Sequence, residues 1–119
     1  MLGKSNAIVA YCAAVIVAGS IPASAARVFY TGSQIYDWCT AREKAVDKRA
    51  SCLAYVMAIA DAMADRNEVA GSRACIPLSI TGRKVVDFVV QFSQRNVASR
   101  DQSAANLVAN ALSESFPCR

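Results

Sequence analysis

The fold of this chain is constrained most by four cysteines spread through its last 94 or so residues: Cys39, Cys52, Cys75 and Cys118. A domain of this size has a core that is marginal alone, so covalent cross-links commonly stabilise it. An even number of cysteines in a short exported chain favours two disulfides. Zinc is the alternative, but the chain has no histidine and no Cys-x-x-Cys pair, and structural zinc sites usually have closely spaced ligands. We therefore expect two disulfides and no metal.

The N-terminal segment 1–25 has the pattern of a secretory signal peptide. Lys4 precedes an apolar stretch that ends at Gly19, and the small residues Ala23-Ser24-Ala25 form a suitable cleavage site. The apolar stretch, about 13 residues, is short of the roughly 20 needed to cross a bilayer. We expect cleavage after Ala25 and loss of Cys12 with the peptide. The mature chain, 26–119, is then a single periplasmic domain without a membrane anchor.

The charge of the mature chain excludes one class of partner. Removal of Lys4 leaves twelve basic and nine acidic side chains, a net charge of +3. Basic and acidic residues alternate between Arg42 and Arg49, which is typical of a solvated face and not of a surface that follows phosphates. Nucleic acid is therefore not expected as a partner. The chain also has no glycine-rich phosphate loop, and we expect no cofactor.

The apolar periodicity predicts an all-α fold, a small bundle of about four helices. Between residues 50 and 66, apolar positions recur every three or four residues, as in an amphipathic helix. Similar stripes follow Thr81 and the stretch "SRDQ", in which Ser99 and Gln102 have capping-box spacing. A shorter helix is expected from Gln34 to about Arg42. The three stripes are Leu53, Val56, Ile59, Ala60 and Met63; Val85, Val86, Val89 and Phe92; and Ala104, Leu107, Val108, Ala111 and Leu112.

The last two predicted helices indicate how two of the cysteines pair. If the helices that begin near Thr81 and Ser99 form a hairpin, the N-terminus of the first helix lies beside the C-terminus of the second. Cys75 precedes that N-terminus and Cys118 follows that C-terminus. This arrangement favours a bridge between Cys75 and Cys118.

The remaining cysteines flank one connection. Cys39 lies near the end of the first helix and Cys52 near the start of the next. A disulfide between them would therefore close only the short connection between these two helices. A Cys52–Cys75 bridge would require the chain to double back along a helix roughly 20 Å long. Of the three pairings that four cysteines allow, Cys39 with Cys52 fits best beside the bridge predicted above. Trp38 and Phe116 each adjoin a cysteine and are expected to pack against the bridges.

Candidate catalytic groups are few, and the chain is not expected to be an enzyme. Without histidine, the commonest general base is missing. Asp61 and Asp65 lie four residues apart on one predicted helix face, but a solvated pair is far commoner than a catalytic one. Tyr55 is expected to be a core aromatic residue whose hydroxyl is bonded. A small hydrolase that uses the two aspartates is a further alternative.

The chain contains the stretches "GSQIYDWC", "CLAYVMAIADAM", "CIPLSITGRKVVDFVV" and "AANLVANALSESFPCR" in this order. In these stretches it resembles the Rap/Tai immunity proteins, exported helical proteins that protect bacteria from peptidoglycan amidases delivered by type VI secretion systems. The resemblance spans residues 31–118. It departs from the family at Ala58, where glycine is usual, and at Arg95-Asn96-Val97, where the family has a His-Pro turn. The matching positions are Trp38, Cys39, Cys52, Tyr55, Asp61, Cys75, Pro77, Phe116, Pro117 and Cys118.

The resemblance implies an immunity protein that occupies the catalytic cleft of a cognate amidase and has no chemistry of its own. Such an inhibitor needs a rigid scaffold and a protruding loop, because preorganisation lowers the ordering cost of binding. The segments 67–74 and 96–99 are the candidate loops. A periplasmic stress or chaperone-like binding protein is the alternative, and a homodimer is compatible with either. The candidate partner-binding residues are Arg66, Asn67, Glu68, Arg73, Arg95 and Asn96.

Overall fold

The computed structural model describes residues 28–119, together with the isolated Gly3 and Gly19. Apart from those two glycines, the predicted signal peptide 1–25 lies outside the described residues. Over the described part, the chain is all-α, with two isolated bridges but no strand, which confirms the predicted fold class. None of its helices has the length and apolar character needed to span a membrane. The α-helices are α1 (Gly32–Cys39), α2 (Val46–Ala62), α3 (Gly82–Arg95) and α4 (Ala104–Ser115), and the 3-10 helices are Ala64–Arg66 and Val97–Asp101.

Side-chain caps fix where α1 and α3 begin. Thr31 and Gln34 form a capping box: the Thr31 hydroxyl accepts from the Gln34 amide at 3.2 Å, and Gln34 Oε1 accepts from the Thr31 amide at 2.9 Å. The hydroxyl of Thr81 accepts from the amide of Lys84 at 3.3 Å. Thr81 therefore ends the extended segment and begins α3, as the sequence predicts.

The start of α4 differs from the prediction. Ser103 is the N-cap, and its hydroxyl accepts from the amide of Asn106 at 3.1 Å. The predicted cap Ser99 lies inside the preceding 3-10 helix, where its hydroxyl donates to the carbonyl of Asn96 at 2.5 Å. The prediction of a capping box at Ser99 and Gln102 is wrong because α4 begins only at Ala104, where Ser103 is the N-cap.

Helix α4 lies at the centre of the core and contacts each of the other three α-helices. All five residues of its predicted stripe are fully buried. In the predicted stripe of α2, Val56 and the C-cap residue Met63 are buried as predicted, but Leu53 is 43% exposed. Cys52 turns inward to its disulfide, and the next residue on a helix points about 100° away. Leu53 therefore lies on a second, outer face of α2.

Both predicted disulfides are present. Cys39 is bridged to Cys52 and Cys75 to Cys118, each with a Cα–Cα distance of 5.0 Å. The first bridge joins the end of α1 to α2. The second joins the segment before α3 to the chain after α4, so both ends of the C-terminal half are fixed.

In the α3–α4 hairpin, the end of α4 does not lie directly beside the start of α3, where the sequence predicted it. The ring of Phe116 packs edge to face on Phe88, in the second turn of α3, with 5.2 Å between centroids. The amide of Cys75 donates to the carbonyl of Phe116 at 2.8 Å. The end of α4 therefore packs against the second turn of α3, and residues 76–80 span the remaining distance to Thr81.

The two aromatic residues beside the cysteines differ in burial. Phe116 is 8% exposed and belongs to the core. Trp38 is only half buried, and its ring lies edge to face with Tyr30 at a centroid distance of 5.1 Å. Trp38 therefore lies between the core and the solvent, and of these two residues only Phe116 is buried.

The start of α1 lies against the 3-10 helix before α4. The amide of Gly32 donates to the carbonyl of Gln102 at 2.7 Å. A Cβ atom at Gly32 would lie 2.8 Å from the carbonyl oxygen of Ser99 and from the Cα of Arg100. Only glycine permits this close approach, which holds the N-terminal helix against the C-terminal half.

Candidate partner-binding surface

The chain leaves α2 through a strained kink. Asp65 and Arg66 have φ angles of 56° and 63°, in the left-handed region that residues other than glycine rarely occupy. Such conformations persist where the surrounding structure determines them, and they occur often at functional sites. At this kink the chain turns away from the axis of α2, and residues 67–74 run across the surface.

A tight turn follows the kink. Val69 and Ser72 exchange two backbone hydrogen bonds, of 3.0 and 2.9 Å. The residues between them, Ala70 and Gly71, have φ angles of 51° and 77°. Two successive left-handed residues are typical of a type I′ turn, which closes a two-residue hairpin. The segment 67–74, predicted as a surface loop, is therefore an ordered turn.

Two contacts anchor this turn to the domain. The hydroxyl of Ser72 lies 2.8 Å from Oδ1 of Asn110 in α4 and donates to it. Ala74 is buried, and the next residue, Cys75, is bridged to Cys118. The turn therefore rests on the central helix at one point and on a disulfide at another.

The polar side chains of the turn remain outside. Asn67, Glu68 and Arg73 are exposed, and Glu68 pairs with Arg73 at 3.0 Å. An ion pair this exposed contributes little to folding stability. It does hold an acid and a base side by side across the base of the turn, where both stay accessible to a partner.

The other predicted loop has its polar groups engaged within the domain. Arg95 pairs with Glu114 at 3.2 Å, and its Nε donates to the carbonyl of Gln91 at 3.3 Å. The side-chain amide of Asn96 donates to the carbonyl of Phe92 at 3.0 Å. Arg95 and Asn96 therefore both contact the last turn of α3, and the Arg95–Glu114 pair is as exposed as the Glu68–Arg73 pair.

The six candidate residues thus fall into two groups. Arg66, Asn67, Glu68 and Arg73 belong to the kink and the turn, whereas Arg95 and Asn96 belong to the end of α3. Within residues 28–119, no hydrogen bond or ion pair links the two groups. In the turn, Glu68 and Arg73 pair only with each other among the described residues, whereas Arg95 pairs with Glu114 of α4 and Asn96 bonds to Phe92 of α3.

A groove of about 380 Å³ borders the kink and places Asp61, Asp65 and Arg66 along its wall. Helix α2 ends at Ala62, so the left-handed Asp65 does not continue the helix face of Asp61. Both carboxylates are exposed to solvent. In the described part of the chain, no cluster of acidic, histidine or cysteine residues is suited to a metal ion.

Tyr55 is half buried beside Tyr30, and the two rings meet edge to face at 5.9 Å. Burial raises the pKa of the Tyr55 phenol above its ordinary value of 10.0, and the neighbouring Tyr30 raises it further. A phenol with a raised pKa stays protonated at neutral pH. Tyr55 therefore lies in an aromatic cluster with Tyr30 and packs against the core.

A second groove, of about 270 Å³, was not predicted. It lies over the Cys39–Cys52 bridge and is lined by Val46, Leu53 and Val86. The sequence signal was available, because Val46 and Leu53 are seven residues apart and so share a helix face. It was missed because Leu53 also fits the core stripe of α2.

Comparison with known proteins identifies a family. A family model described as Rap1a immunity proteins matches residues 31–118, which include all four helices and both disulfides. No curated protein matches the chain.

Proposed function

The chain belongs to the Rap1a immunity protein family, and from this premise we propose that it binds and inhibits a peptidoglycan amidase toxin in the periplasm. Immunity proteins act by binding a toxin protein and generally have no catalysis of their own. Two disulfides are typical of a protein that folds after export, which agrees with the predicted signal peptide.

The observation that carries this proposal is the anchored turn at residues 67–73. A flexible loop loses conformational freedom when it binds, whereas a turn already fixed by Ser72 and the Cys75 bridge loses little. The anchors lie on the inner side of the turn, and its polar groups lie outside. This is the arrangement that a cleft-filling inhibitor requires.

The mechanism is occupancy of the amidase cleft without chemistry. Asn67 offers an amide, and Glu68 and Arg73 offer opposite charges whose mutual pairing is exposed and weak. Exchange of this pairing for contacts with charged groups in a cleft therefore costs little. The bound turn excludes peptidoglycan from the cleft.

The experiment is protection in bacterial cells. A cognate peptidoglycan amidase, sought among the genes adjacent to this one, is directed to the periplasm with and without the full-length chain, and lysis is followed by turbidity. The proposal predicts that the full-length chain prevents lysis and that the chain without residues 1–25 does not. Purified protein should also stop cleavage of peptidoglycan by the amidase.

Two results would contradict the proposal. One is unchanged amidase activity in the presence of excess purified protein. The other is weak binding to several unfolded proteins with no tight binding to the amidase, which would favour the chaperone-like alternative.

A further inference from the structure

We infer that the groove over the Cys39–Cys52 bridge is a second contact surface for the toxin, and that it binds an apolar segment flanked by carboxylates. This inference rests on the proposed function and names the chemistry of one part of the partner. We call this surface the bridge groove and define it by Val46, Arg49, Leu53, Arg83 and Val86. It is separate from the 67–73 turn in sequence and in composition.

The bridge groove has an apolar floor that the fold leaves uncovered. Val46 is 66% exposed and Leu53 is 43% exposed, and they lie seven residues apart on α2. Ala50 lies between them, and Val86 of α3 adds to the lining. Helix α2 therefore has two apolar faces, one in the core and one outside. Apolar residues exposed at helical spacing are typical of surfaces that bind an amphipathic segment.

The floor is rigid, which favours binding. Cys39 and Cys52 both line the groove and are joined by a disulfide. The half-buried ring of Trp38 forms one edge and is packed against Tyr30. Tryptophan is enriched among the residues that contribute most to protein–protein binding. A partner that fills this groove does not have to order it first.

The charged side chains along the groove determine which charges a partner segment must have. Arg49 and Arg83 both line it, and Glu43 is the single acidic residue among the described lining. Arg49 is oriented by a long hydrogen bond from Nη1 to the carbonyl of Ala41, at 3.5 Å. Neither arginine forms an ion pair within residues 28–119. Two guanidinium groups beside an apolar floor complement carboxylates beside apolar side chains.

The length of the groove sets the size of the occupant. Val46 and Leu53 are separated by seven helical steps, or roughly 10 Å along the axis of α2. About two turns of a partner helix cover this distance. The occupant is therefore a short amphipathic segment with leucine-like residues on one face and Asp or Glu beside them.

The first experiment uses a synthetic probe, because the toxin segment is not identified. The probe is a helical peptide of about three turns with leucines on one face and glutamates at the positions that flank them. It is titrated into the isotope-labelled protein purified from the periplasm, and backbone amide shifts are followed by NMR. We expect saturable shifts at Val46, Leu53 and Val86, and binding of a lysine-for-glutamate peptide weaker by roughly tenfold, about 1.4 kcal/mol.

A charge exchange tests whether the two arginines cause the selection. The double variant Arg49→Glu, Arg83→Glu should lose affinity for the glutamate peptide and gain affinity for the lysine peptide. The matched control is Lys44→Glu, Lys48→Glu, which changes the total charge equally at exposed positions that do not line the groove. The control should retain the preference of the wild-type protein. Thermal melting shows that both variants are folded.

The amidase then connects the groove to the toxin. If the inference is correct, the Arg49→Glu, Arg83→Glu variant binds the amidase at least tenfold more weakly than the control variant. Equal binding of the two peptides, or amidase inhibition unchanged by the charge exchange, would overturn the inference while leaving the proposed function intact. Failure of the wild-type protein to bind the amidase would instead overturn the proposed function.

Discussion

The hydroxyl of Ser72 donates a hydrogen bond of 2.8 Å to Oδ1 of Asn110 and thereby attaches the 67–73 turn to the central helix. The two residues are separated by 38 positions in the chain. This bond is the point at which the exposed turn takes its position from the core, since α4 is the most deeply buried helix. It links the stability of the fold to the geometry of the proposed binding surface.

Substitution Asn110→Ala should therefore affect binding more than folding. Loss of one partly buried hydrogen bond costs about 1 kcal/mol of stability. Release of the turn should in addition raise the dissociation rate of the amidase complex. The matched control is Asn106→Ala, which lies one turn earlier in α4 and keeps the backbone amide that Ser103 caps. Surface plasmon resonance that gives equal dissociation rates for both variants would contradict this role of the bond.

Two glycine substitutions test the contact between α1 and the 3-10 helix. Gly32→Ala places a Cβ against backbone atoms of Ser99 and Arg100, and should lower the free energy of unfolding by roughly 1 to 3 kcal/mol. Gly82→Ala meets the thioether of Met57 at 2.9 Å, a flexible side chain that can move. Chemical denaturation should therefore give a near-neutral result at Gly82. Equal effects at both positions would show that the close approach at Gly32 is not rigid.

The aromatic residues beside the two disulfides should differ in their contribution to stability. Phe116→Ala should cost about 3 to 5 kcal/mol, because the ring is buried against Phe88. Trp38→Ala should cost less, because that ring is only half buried. Thermal denaturation compares the two variants directly. A larger loss at Trp38 than at Phe116 would contradict the assignment of Phe116 to the core.

The sequence predicted the fold well because its main constraints are short in range. Apolar spacing identified α3 and α4, and the positions of the cysteines relative to those helices gave the pairing. The cap of α4 was misassigned because Ser99 and Ser103 are both followed by polar residues three positions later, and the structure around Asn96 decides between them. Local sequence does not contain that information.

The candidate site was less predictable than the fold. A break after Asp65 and a loop around Gly71 follow from composition, but the left-handed conformations of Arg66 and Ala70 do not, since these residue types rarely adopt them. The anchor between Ser72 and Asn110 joins distant parts of the chain. The exposure of Leu53 likewise depends on the inward direction of Cys52, which the disulfide fixes.

Tyr55 makes stability sensitive to alkaline pH. Burial raises the pKa of its phenol in the folded state, and Tyr30 adds to this. The neutral phenol is therefore favoured by folding, and this contribution is fully present below the ordinary pKa of 10.0 and is lost as the pH rises through the folded-state value. Denaturation at about pH 8 to 11 should show a fall in the free energy of unfolding that is smaller in Tyr55→Phe. An identical fall in the free energy of unfolding of both proteins would show that other groups cause the pH dependence.

The central claim is that the 67–73 turn inhibits the amidase, and calorimetric titration of the amidase with a triple alanine variant at Asn67, Glu68 and Arg73 tests it most directly. These side chains are exposed, so the helical signal and melting temperature should not change. The control is a triple alanine variant at Arg42, Asp87 and Gln91, which removes the same charges from other exposed positions. We predict that the turn variant binds at least tenfold more weakly than wild type, about 1.4 kcal/mol, and that the control binds normally. Wild-type affinity in the turn variant, with binding abolished by substitution of Arg95 or Asn96, would place the inhibitory surface at the end of α3 and contradict this account.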